Sequence, residues 1–177
     1  MIGYPLDSAS AVLVNEDPAW EDLHTASDLL PELLADLRSP LPVRLGRMSD
    51  TIARMERVAL VLIPKLLAYR DDLFPDASSW RADSRRHPQP DPVLLLAVRE
   101  WVWSMATEPS MPLLRQKRLN AVLTEILVAR AAVQAYSSQL HQRSPASLVH
   151  TLNALWLLVA ASWRLRPLLA EGEKNHA

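Results

Sequence analysis

The chain has 177 residues, 49% apolar and 22% charged, with 14 Pro, three Gly and no Cys; this is enough apolar material for one sizeable core, and it excludes disordered, collagen-like and disulfide-stapled classes. A formal net charge of −1 is too balanced for a polybasic protein that grips phosphate by overall charge, so any nucleic-acid contact has to be local. The absence of Cys removes thiolate metal sites and Cys nucleophiles, and the isolated Gly3, Gly46 and Gly172 leave no phosphate-cradling loop and few of the residues that a hairpin-rich sheet needs.

Residues 1–17 lack helical periodicity and read as an extended N-terminal arm. No basic stretch there leads into an apolar one, so no secretory signal is expected and a cytoplasmic setting follows. A first helix is signalled from Pro18 or Ser27 to Leu37, with Pro31 either in its second half or at a kink, and with Leu29, Leu30, Leu33, Leu34 and Leu37 at core spacing. Ser39-Pro40-Leu41-Pro42 stops it.

The second helix starts at Val43 or Ser49 and runs to Leu73. At 100° per residue Met48, Ile52, Met55, Ala59, Leu62, Ile63 and Leu66 share one face, and Arg47, Asp50, Arg54, Arg57 and Lys65 lie opposite. Pro64 should kink it. Residues 75–91 then form a Pro-rich loop, unusually long for a compact domain.

A third helix is predicted from Pro92 to Ala106, with Leu95, Val98, Val102 and either Trp101 or Trp103 on its apolar side. The fourth, Pro112 to Leu140, turns Leu119, Val122, Leu123, Ile126, Val133 and Leu140 to one face and opens with Arg115-Gln116-Lys117-Arg118. The fifth begins at Ser144-Pro145, a cap followed by Pro at the first helical position, and ends near Leu169. Its apolar residues cover most of the circumference, which marks a central helix, and its most apolar run, Ala154 to Trp163, falls short of the roughly 20 residues of a membrane span. The expectation is an all-α fold: a single-domain bundle of about five helices over residues 18–170, with the 75–91 loop between helices two and three and a flexible tail at 171–177.

Charge is segregated along the chain. Residues 1–36 hold eight acids and no Lys or Arg, residues 37–118 hold 14 basic and nine acidic residues, and residues 119–177 hold five and three. Such asymmetry either steers a partner or is met inside the domain by pairing of the acidic first helix with basic neighbours. Arg47, Arg54, Arg57 and Lys65 would present positive charge along one helix at intervals of about 10 Å. Arg85 and Arg86 stand with Trp80 in the long loop, an aromatic plane beside cations that suits single-stranded bases and phosphates or an acidic partner. Arg115, Lys117 and Arg118 extend the set. Arg130 projects towards an apolar face and should meet a carboxylate, a backbone carbonyl or a partner's phosphate.

Catalytic and metal motifs are wanting. Glu21-x-x-His24 is a single pair where a di-iron bundle needs two, and Asp28, Glu32 and Asp36 read as a solvated stripe. No His spacing suggests a metal or a catalyst, and His150 with Asn153 is expected as a buried hydrogen-bonded pair. No catalytic residue, metal or cofactor is expected.

A helical chain of this size, with basic stripes, an acidic end and no catalytic motif, resembles the small helical subunit of class 1 CRISPR ribonucleoprotein effectors, in architecture and charge layout over the whole chain. That resemblance implies a non-enzymatic subunit that stacks on larger subunits and on copies of itself and contacts single-stranded RNA or DNA through Arg and Lys. Arg47, Arg54, Arg57, Lys65, Arg85, Arg86, Arg115, Lys117, Arg118 and Arg130 are then the candidate phosphate contacts, and Trp80, Glu21, Asp28 and Glu32 the candidate partner contacts, with no role at a membrane. Two other readings stay open. One is a ligand-binding regulator or adaptor whose Trp101, Trp103, Trp156 and Trp163 line an apolar pocket; the other is a helical enzyme that gathers Glu21, Glu32, Glu100 and Glu125 around Mg²⁺.

Overall fold

Asp17 starts the first described helix by accepting the Ala19 N–H on Oδ1 at 2.9 Å, and Pro18 follows where a missing N–H is harmless. This is a computed structural model, and it describes residues 17–73, 88–106 and 112–174. The proposed arm and most of the long loop, with Trp80, Arg85 and Arg86, lie outside those residues. Helix α1 (Pro18–Asp28) ends at Leu29, and α2 (Leu30–Ala35) resumes at once with Pro31 in its first turn. The sequence left open a kink at Pro31; the helix instead breaks just ahead of it, where the proline lacks a donor for the turn before. Asp17→Ala should lose about 1–2 kcal/mol as an N-cap deletion, read from urea denaturation.

Helix α3 (Leu41–Leu73) begins slightly earlier than its periodicity suggests and continues through Pro64. That proline is exposed, so its ring meets solvent, and the carbonyl of Leu60 loses its usual partner on the outer side of the bundle. The face from Met48 to Leu66 is buried as its spacing requires. Helix α4 (Pro92–Ala106) has the predicted bounds, capped by Asp91, which accepts the Val93 N–H at 2.9 Å. Its inward residues are Val98, Trp101, Val102 and Met105, whereas Trp103 faces out.

Helix α5 (Leu113–Ser137) passes through a short 3-10 turn (Leu140–Gln142) to Arg143, whose left-handed φ of 53° reverses the chain ahead of α6 (Pro145–Lys174). The expected tail at 171–177 is corrected in part: the helix carries on through Lys174, since Glu171, Glu173 and Lys174 are helix formers and lone Gly172 does not stop it. Among the described residues there is no strand, and the chain is a single all-α bundle.

Helix α6 is its axis, packed between α3 and α5; α1 lies on α3, and α4 lies on α5 and α2. Leu148, Leu155, Leu158, Ala161 and Leu165 face the core, while Asn153, Trp156, Ala160, Trp163 and Pro167 form an exposed face, so the expected burial round most of its circumference is corrected. Between Pro145 and Ala170 it is long and apolar enough to cross a membrane by length and composition, longer than the ten-residue run suggested, and 61% of its most apolar stretch is buried in the bundle. Helices α3 and α6 run antiparallel. Tyr69 near the end of α3 feels the charge of Arg143 at the start of α6, with burial pushing its phenol up. Earlier in α3, Glu56 accepts hydrogen bonds from Trp163 and Arg166 of α6.

Glu56 is the buried polar contact of that interface, 4% exposed and held by two donors whose outer parts reach solvent. Glu56→Gln should lose about 1.5–3 kcal/mol, the scale of a hydrogen bond to a charged group, and free the Trp163 ring, which its fluorescence would report. His150 is buried and stacked on Tyr136 at 4.5 Å between ring centres, while Asn153 is exposed. The expected His150–Asn153 pair is therefore not formed: residues three apart sit about 60° from each other on a helix, and only one of them faces the core.

Candidate nucleic-acid interface

Opposite charges far apart in sequence meet across the bundle. Lys65 donates to Asp17 at 2.6 Å, Arg54 to Asp22, and Arg47 to Asp36 at 3.0 Å, while Arg130 lies 3.6 Å from Asp28. Each of these acids belongs to the first 36 residues, so the acidic beginning of the chain folds back as a clasp on α3 and α5. The polarity of the sequence is largely resolved within the domain. These pairs are partly exposed, worth about 0–1 kcal/mol each, and they fix where α1 lies more than they stabilise it.

Two clasp carboxyls titrate below their ordinary value. For Asp17 burial pushes upward, and the Lys65 hydrogen bond, the Ala19 N–H and the Lys65 charge outweigh it. For Asp36 the hydroxyl of Ser39, at 2.7 Å, is the main cause, joined against burial by the Ser39 N–H and the charges of Arg47 and Arg44. A carboxyl that is more acidic folded than unfolded contributes stability in full above its unfolded pKa and loses it as pH falls through the folded one. Urea midpoints should therefore hold down to the usual value of 3.8 and drop below it, less steeply in Asp17→Asn.

The predicted phosphate contacts are thus divided. Arg47, Arg54 and Lys65 are hydrogen-bonded to carboxylates, so phosphate there would have to displace one, whereas Arg130 is paired only loosely, 3.6 Å from Asp28. Arg57 is exposed and in no ion pair among the described residues. The Arg115–Arg118 cluster splits, because successive residues turn by 100°. Arg115 is buried and donates to the carbonyl of Leu168, which corrects its expected role. Arg118 faces α6, and Lys117 faces α4.

On the α4 side Lys117 meets residues that periodicity alone did not single out. The end of α4 lies against the start of α5, and a shallow groove of about 160 Å³ runs between Arg99, Val102 and Trp103 on one side and Leu113, Gln116, Lys117 and Asn120 on the other. Arg99 and Trp103 are four apart on α4, one above the other. The Trp103 ring is 71% exposed, and neither Arg99 nor Lys117 has an ion pair among the described residues. Asn120 completes the lining, with its side-chain oxygen buried and without a donor among the described residues. The site thus offers a flat aromatic face and two cations that have no ion pair among the described residues.

The other expected constellations do not assemble. Trp101 is core, Trp103 borders the α4–α5 groove, Trp156 is exposed on α6, and Trp163 lines the α5–α6 groove. Four tryptophans on different faces line no common pocket, which corrects the Trp-lined reading. Glu125 is paired with Arg164, while Glu21, Glu32 and Glu100 are exposed and separate. Among the described residues no three acidic or His side chains gather as a metal site, so the carboxylate cluster does not form. Of the expected partner contacts, Glu21 and Glu32 are exposed and Asp28 faces Arg130.

No protein-family model, curated protein or solved structure matches the chain.

Proposed function

We propose that the protein is a non-enzymatic helical subunit of a ribonucleoprotein assembly, of the kind its resemblance to CRISPR small subunits suggests, and that the α4–α5 groove is where it holds single-stranded nucleic acid. One observation supports this: an exposed Trp103 flanked by Arg99 and Lys117 with no carboxylate paired to them among the described residues, in a chain where Arg47, Arg54 and Lys65 of the α3 stripe are clasped. A base stacks on the indole, and phosphates on either side meet the two cations. Stacking of this sort is tolerant of sequence, so the preference is for single strands over duplex and not for a particular base. Exposed Trp156 and Ala160 on α6 support the subunit part of the reading, since a bare aromatic on a central helix suits burial against a neighbouring helical subunit.

Fluorescence anisotropy with labelled oligo-dT, oligo-rU and a duplex tests it. Single strands should bind with an affinity that falls as salt rises, and the duplex should bind more weakly. Equal duplex binding, or no binding at low salt, would overturn the reading.

A further inference from the structure

A second groove lies at the other end of the same helix pair. It has a volume of about 740 Å³ and is walled by Pro31 of α2, Pro90 and Leu94 at the start of α4, and Leu127 and Ala131 of α5, with Arg130 set among them. That volume is in the range of small-molecule sites. The guanidinium of Arg130 is only 14% exposed and makes no hydrogen bond among the described residues. Its Nε is buried without an acceptor, and the nearest carboxylate, Asp28, stands at 3.6 Å, past hydrogen-bond reach, and is itself 69% exposed.

A guanidinium carries five donors, and shielding them from water without acceptors is costly. An apolar side chain of similar volume would sit in that wall at lower cost. Asp91 also lines the groove and caps α4, its Oδ1 accepting the Val93 N–H at 2.9 Å. Arg130 thus meets its internal anion, Asp28, only at 3.6 Å. We infer that this groove binds a small organic carboxylate, its head paired with Arg130 and its apolar body lying on Pro31, Leu94, Leu127 and Ala131. The planar fork of the guanidinium matches a carboxylate by two parallel hydrogen bonds, and Asp28 is a loose internal competitor for the same cation. This site is separate from the nucleic-acid groove and stands or falls without it.

Isothermal titration of the full chain with decanoate, and with decanol as its neutral counterpart, decides the matter. Decanoate should bind at least about tenfold more tightly than decanol, the scale of one charge-assisted hydrogen-bonded pair. Arg130→Met should abolish that preference while circular dichroism stays helical. Asp28→Asn should strengthen decanoate binding several-fold and leave decanol unchanged, because it removes the competing carboxylate from an exposed position; a merely structural role for Arg130 would not give that gain. Equal affinity for the two probes, binding of neither, a preference retained in Arg130→Met, or no gain in Asp28→Asn would each overturn the inference.

Discussion

Trp101→Ala should destabilise the bundle by about 3–5 kcal/mol, the range for deleting a large buried aromatic, while Trp103→Ala, two residues along, should change stability by less than about 0.5 kcal/mol. Trp101 is fully buried and Trp103 faces solvent. The first substitution opens a cavity where α4 meets its neighbours, and it does so beside the tie that anchors the end of α4. There Ser104 donates to the Trp101 carbonyl at 2.6 Å and accepts from Arg44 at 2.7 Å, and Arg44 also donates to the Ser39 carbonyl at 3.0 Å. Trp101→Phe should cost much less, because it keeps most of the volume and removes an indole N–H that has no acceptor among the described residues. Urea unfolding followed by far-ultraviolet circular dichroism reads all three variants. Similar losses for Trp101→Ala and Trp103→Ala would mean that the orientation of α4 is wrong.

The second large effect concerns affinity. Base stacking on an aromatic side chain is worth about 1–3 kcal/mol, so Trp103→Ala should weaken binding of oligo-rU or oligo-dT by about 5- to 150-fold with the fold intact. Trp156→Ala, at another exposed aromatic on a different helix, should leave that affinity unchanged. Trp103→Phe should recover much of it, since a phenyl ring still offers a stacking face. This pattern separates stacking from a general gain of disorder at the end of α4, which phenylalanine would not repair.

Much of this architecture can be read from the chain, and the reasons are local. Helix α4 has the predicted ends because Asp91-Pro92 opens it and Thr107-Glu108-Pro109-Ser110 follows its last residue. The buried faces of α3 and α5 follow from apolar spacing against a charged opposite face. Where a helix is apolar nearly all round, that signal fades: α4 offers no strong polar side to orient it, so Trp101 and Trp103 were indistinguishable by periodicity, and its packing on α5 and α2 decides between them. The clasp shows a second limit. Segregated charge announces that opposite charges are available to meet, but the partners of Arg54, Lys65 and Arg130 lie 32, 48 and 102 positions away, and only the packing of α1 on α3 and of α1 beside α5 selects them. The groove is likewise tertiary. Lys117 was visible as part of a basic cluster; Arg99 and Trp103 were a bare four-residue spacing whose meaning depends on what α5 sets opposite them.

The central claim is that Arg47, Arg54 and Lys65 of α3 are satisfied inside the molecule, while the cations of the α4–α5 groove are left for a nucleic-acid strand. Its most direct test is the salt dependence of oligo-rU affinity in two double variants, Arg99→Gln with Lys117→Gln and Arg47→Gln with Arg54→Gln. Each phosphate contact contributes about −0.7 to the slope of log affinity against log salt on a single strand. The account predicts that the groove variant flattens the slope by about 1.4 and that the α3 variant keeps the slope of the unaltered protein. A flattened slope in the α3 variant, with none in the groove variant, would contradict it.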